Sequence, residues 1–173
     1  MTAMTMTNTG TPCRAAGTAP MDVFENIVTT SPHTIGQAIQ AAVDRIQQEG
    51  ALKPFSPADV APFAQTRAAL TLLADYYARQ IYSSAAAAHQ AACDPDFPWP
   101  WWEELPDANA LRRFRAEHSW EVQRCLMAAL RFLTEQKILS GALTKIDGPQ
   151  LAKEAGRRIV MAAFEDSMEL DGE

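Results

Sequence analysis

A chain of 173 residues with 47% hydrophobic and 21% charged side chains is long enough for one domain with a substantial core and too short for two ordinary ones. Its net charge of −6 argues against whole-surface binding to nucleic acid or to an anionic membrane. Cys13, Cys93 and Cys125 are odd in number and scattered, without the close Cys or Cys/His spacing of a zinc site or redox pair, which fits reduced thiols and a cytoplasmic location.

Residues 1–20 are mostly Thr, Ala, Gly and Met, a composition that buries little and predicts a disordered tail; they hold no apolar run of signal-peptide length. No stretch approaches eighteen consecutive apolar residues, so no membrane partner is expected. Asp22 to Val28 reads as one short helix opening a domain that spans 21–166. Ser31-Pro32 is a helix-start signal, and Ile35, Ala38, Ile39, Ala42, Val43 and Ile46 then recur at the spacing of an amphipathic helix that Gly50 stops. Ser56-Pro57-Ala58-Asp59 repeats the start signal. From Phe63 to about Ala92 there is no proline or glycine, and the abundance of alanine predicts one long helix.

Asp94 to Pro106 breaks that helix with four prolines and carries Phe97, Trp99, Trp101 and Trp102. Rings of that size are costly to leave in water, so the stretch is read as a connector that partly plugs the domain and partly waits for a protein partner. Asp107 caps the next predicted helix, which runs to about Ser140 before Gly141 and places Leu111, Phe114, His118, Val122, Cys125, Leu126, Ala129 and Leu133 on its apolar face. A last helix starts at Pro149 and turns Leu151, Ala155, Ile159 and Ala162 inward as far as about Asp166, leaving an acidic tail over 167–173. Strand signals are nearly absent. The expected fold is all-α, a single bundle of four main helices plus the short N-terminal one.

Between Asp107 and Phe164 ten basic residues face six acids, a local excess that makes nucleic acid a conceivable partner for residues 107–158. Arg112, Arg113, Arg115 and Arg124 nevertheless interleave with Glu117 and Glu121 as on a salt-bridged helix face. The segment Arg113-Phe-Arg-Ala-Glu-His118 carries an Arg-x4-His spacing and in those six residues resembles the HEPN ribonucleases. That resemblance implies an all-α, metal-independent RNase, often dimeric, with Arg113 and His118 as the catalytic pair and His118 as general acid or base. On a straight helix the two lie about 140° apart, so convergence needs a bend or a second subunit. Leu151-Ala-Lys-Glu-Ala-Gly156 looks like the first half of a helix-turn-helix, but the apolar spacing continues through Gly156, so one uninterrupted helix is preferred, with Ala152 and Gly156 on a small-residue face suited to a homodimer.

No phosphate-cradling glycine loop, metal-ligand motif or nucleophile motif is present, and no cofactor is expected. The preferred reading is therefore a non-enzymatic accessory, adaptor or regulatory protein that binds another protein through Phe97, Trp99, Trp101 and Trp102 together with Arg112, Arg113 and Arg115.

Overall fold

The computed structural model describes residues 32–54, 63–94, 106–136 and 147–171. The predicted tail over 1–20, the short helix at 22–28, the start signal at 56–59 and the aromatic connector over 95–105 lie outside the described residues. What is described is all-α, as the sequence predicts: α1 (Ile35–Gln48), α2 (Ala64–Ala78), α3 (Ser84–Cys93), α4 (Ala108–Glu117), α5 (Ser119–Glu135) and α6 (Gly148–Leu170). No strand occurs and no helix is long and apolar enough to cross a membrane among these residues.

The first helix begins three residues later than Ser31-Pro32 suggests. Its cap is Thr34, whose hydroxyl accepts the Gln37 N–H (3.1 Å), while the Gln37 side chain accepts the His33 N–H (2.7 Å), a close variant of the reciprocal capping box. Gly50, in the left-handed conformation at φ 68°, ends it as predicted: its N–H donates to Gln47 and the Ala51 N–H to Ile46, which satisfies two of the last carbonyls. Ala38, Ile39, Val43 and Ile46 are buried, the inward face that the spacing predicted.

The long helix expected over 63–92 is two helices. The chain breaks after Ala78 because Gln80 takes φ 66°, and the Gln80 and Ile81 N–H groups fold back onto the carbonyls of Tyr77 (3.2 Å) and Tyr76 (2.9 Å). This is the same termination that Gly50 makes, carried out by a residue with a Cβ that the left-handed region disfavours. Ser83 then caps α3 by accepting the Ala86 N–H (3.1 Å). Gln80→Gly is expected to stabilise the protein by about 0.5–1 kcal/mol, because the steric strain removed outweighs the added freedom of the unfolded chain. A urea titration of the variant reads this directly, and an unchanged or lower midpoint would refute it.

The helix expected over 107–140 is likewise broken, at His118 (φ −115°, ψ 27°). Its predicted apolar residues are nonetheless inside: Leu111, Phe114, Val122, Cys125, Leu126 and Ala129 are buried. The change of direction lets α4 lie against α3 while α5 lies against α1, α2 and α6, so α5 sits in the middle of the packing. α6 is continuous from Gly148 to Leu170, which removes the turn that a helix-turn-helix needs at Gly156 and carries the helix a turn beyond Asp166. Its last turn is held by tertiary bonds, with Glu169 accepting from Ser83 and from Arg112.

Candidate functional site

Two regions stand out: a buried charged cluster that positions α6, and the outer face of α6 itself. Asp166 points from α6 to the start of α3, where its Oδ1 accepts the Ser84 N–H (2.8 Å) and its Oδ2 accepts the Ser84 hydroxyl (2.7 Å). A carboxylate at that place also meets the positive end of the α3 dipole. Arg115 of α4 pairs with the same carboxylate, and its Nη1 lies 3.3 Å from both the Tyr77 hydroxyl of α2 and the Ser84 Oγ. Arg112, three residues before Arg115 on α4, places its Nε 3.5 Å from Asp166 and donates from Nη2 to Glu169 (3.1 Å).

Asp166 is 2% exposed, so its charge persists only because its partners compensate the lost hydration. Burial pushes the Asp166 carboxyl up, but the two Ser84 hydrogen bonds and Arg115 outweigh it and hold the group below the ordinary carboxylate range. The Tyr77 hydroxyl is pushed up by burial, against the opposing pull of Arg115. Ser84 and Tyr77 are fully enclosed, and only Arg112 and Glu169 at the edge of the cluster reach the surface. The chemistry of the arrangement is attachment: it ties α2, α3, α4 and α6 at one point.

A second inward arginine works on the same helix. Arg158 Nη1 donates to the carbonyls of Tyr77 (2.9 Å) and Ala78 (2.8 Å) at the end of α2, and its Nε donates to Glu154 (2.8 Å). The sequence reading places Arg115 on a contact surface and gives Arg158 no role of its own; both are buried. Arg112 is partly buried and paired, and only Arg113 of the three proposed contact arginines is exposed. Phe97, Trp99, Trp101 and Trp102 lie outside the described residues.

For the Arg113/His118 pair the structure supplies the bend but not the access. Arg113 is on the surface, while His118 is buried with its ring stacked on Phe114 (centroids 4.3 Å apart, planes 20° apart) and its Nδ1 3.8 Å from Glu121. Burial lowers the His118 pKa against the opposing pull of Glu121, and the residue is 2% exposed. Cys125 is buried too, and burial pushes its thiol up to about 12, which makes it inert as a nucleophile. No group of three or more His, Cys, Asp or Glu side chains among the described residues is arranged to hold a metal ion. Among the described basic residues of 107–158, Arg112 and Arg115 pair with acids of α6, Arg124 with Glu49, and both Arg157 and Arg158 with Glu154. An open cleft of about 530 Å³ lies along α1 and α2, with Ile35, Gln40, Thr71 and Asp75 in its wall, and nothing in its shape singles out a ligand.

The outer face of α6 has the opposite character. Val160, Phe164 and Met168 are 67%, 58% and 58% exposed and follow one another at intervals of four, one row along the helix surface. Single exposed apolar side chains are ordinary, but three in register on a 23-residue helix form a continuous apolar ridge. The sequence reading missed it because Leu151, Ala155 and Ala162 supply an inward row that satisfies the helical period by itself; a second row at spacing four on the far side was the available signal. Trp120 on α5 is half exposed and lies against the Arg124 guanidinium (4.7 Å), a stacked pair at the surface.

Comparison of the chain with known protein families, with curated proteins and with solved structures finds no match.

Proposed function

We propose that this protein is a non-enzymatic accessory or adaptor protein of a cytoplasmic complex, a helical bundle that presents the outer face of α6 to another protein. The observation that carries this reading is the Val160, Phe164, Met168 row, set on a helix whose inner face is pinned by Asp166 and Arg158. A rigid helix with an apolar ridge on one side and its fixings on the other is the usual donor in helix-to-groove and helix-to-helix recognition. The enclosed position of His118 weighs on the same side, since the RNase reading requires an accessible acid or base at that residue. The aromatic connector and Arg113 remain candidates for a second part of the same contact surface.

The test is capture from native lysate with wild-type and Phe164→Glu baits, followed by titration of the identified partner with each purified bait. Removing a central aromatic anchor is expected to cost about 2 kcal/mol of binding or more, roughly thirtyfold in affinity, with the thermal midpoint unchanged. Equal affinity for both baits would remove α6 from the contact surface.

A further inference from the structure

The exposed row on α6 is symmetric about Phe164. Val160 and Met168 stand four residues to either side, and Arg157 and Asp171 stand seven residues to either side. At 100° per residue all five fall within about 40° of the Phe164 direction, so they form one narrow stripe with a basic end, an apolar middle and an acidic end. Both end residues are at the surface: the Arg157 side chain is 57% exposed although it bonds to Glu154, and Asp171 is exposed at the helix end.

A stripe with that order is complementary to itself when reversed. We infer that the occupant of the α6 face is a second copy of this chain, packed antiparallel about a twofold axis at Phe164, an inference that rests on the interaction reading above. In this arrangement Phe164 meets Phe164 of the partner copy, each Val160 meets a Met168, and each Arg157 meets an Asp171, so that two ion pairs flank a dry apolar centre. The neighbouring positions agree with the pairing. Glu165 falls opposite Ala163 and Met161 opposite Ser167, so neither position sets like charges opposite one another, and the Asp171 of the second copy would share Arg157 with Glu154. A parallel pairing would set Arg157 against Arg157 and Asp171 against Asp171, which like-charge repulsion disfavours. Antiparallel packing also opposes the two helix dipoles.

Analytical ultracentrifugation across a concentration series, on the full-length chain and on charge-reversed chains, tests the inference. Wild type is expected to show a monomer–dimer equilibrium. Asp171→Arg, which suits a helix C-terminus and so leaves the monomer intact, and Arg157→Glu are each expected to weaken the dimer about tenfold, because each sets like charges opposite one another twice per dimer. Mixing the Asp171→Arg chain with the Arg157→Glu chain restores both opposite-charge pairs and is expected to return association to within about threefold of wild type. Thermal melts of each chain confirm that only association has changed.

A mixture that stays as weak as its components overturns the twofold pairing, as does a dimer indifferent to all three tests. A wild-type chain that remains monomeric at every concentration overturns it as well. In that last case the Phe164→Glu capture separates the two claims: a partner lost with the variant leaves the adaptor reading standing and only the second copy falls, whereas a partner retained, or a variant with a lowered thermal midpoint, takes the open α6 face away from both.

Discussion

Replacing Asp166 by alanine is expected to lower the unfolding free energy by about 3–5 kcal/mol, the range for removing one partner of a buried ion pair. The loss is large because three groups depend on that carboxylate. Ser84 loses the acceptor of its N–H and of its hydroxyl, and Arg115 keeps its charge in an enclosed site with only the Tyr77 and Ser84 oxygens nearby. Urea unfolding followed by circular dichroism measures the change, and a loss below about 1 kcal/mol would show that the cluster is wet or slack. Replacing both charges, Arg115→Met with Asp166→Leu, is expected to recover part of the loss, since an apolar pair leaves no stranded charge. The acid limb should report the same cluster. Because the folded-state pKa of Asp166 lies below its ordinary value, the folded protein binds fewer protons, and the stability that Asp166 supplies is present above that value and lost as pH falls beneath it.

Arg158→Ala is expected to cost about 3 kcal/mol. The guanidinium satisfies two carbonyls at the end of α2, and the Ala78 carbonyl would be left enclosed without that donor. A pH signature distinguishes this from simple loss of packing. Hydrogen bonds from Arg157 and then from Arg158 hold Glu154 down to about 2 from an ordinary 4.5, so the unfolded chain binds a proton there that the folded chain does not, and stability falls as pH drops through that window. With Arg158 removed one of the two partners is gone, the window narrows, and the dependence of the urea midpoint on pH between about 5 and about 3 should flatten. A slope equal to that of wild type would mean that Arg157 alone sets the Glu154 charge.

Periodicity and caps made the all-α class, α1 with its Gly50 stop, and the inner row of α6 legible before any coordinates. The breaks at Gln80 and His118 were not. A glutamine in the left-handed region has no compositional mark, and it is tolerated because Ile81 and Ser83 must be reached by a sharp turn that the α2 carbonyls can close. His118 fits the apolar spacing of an unbroken helix, and only the need for α4 to lie on α3 while α5 lies on α1, α2 and α6 bends the chain there. The charged residues were misread for a related reason. Arg115, Arg158 and Asp166 resemble any surface charge along the chain, and their enclosure depends on partners 31 to 82 residues away. The exposed α6 row lay in plain view, yet pattern reading stops once one face of a helix has been given a core to fill.

The bond between Ser84 and Asp166 closes a loop of 82 residues, far longer than the turns that join α2 to α3 or α4 to α5. Long loops close late, because their entropy is repaid only by contacts that already exist on both sides. The Ser84–Asp166 contact should therefore form late, and the α3 entrance should stay loosely aimed until it does. The order has a kinetic mark: destabilising changes at Asp166 should hasten unfolding and leave the refolding rate nearly untouched, a chevron displaced along one arm only.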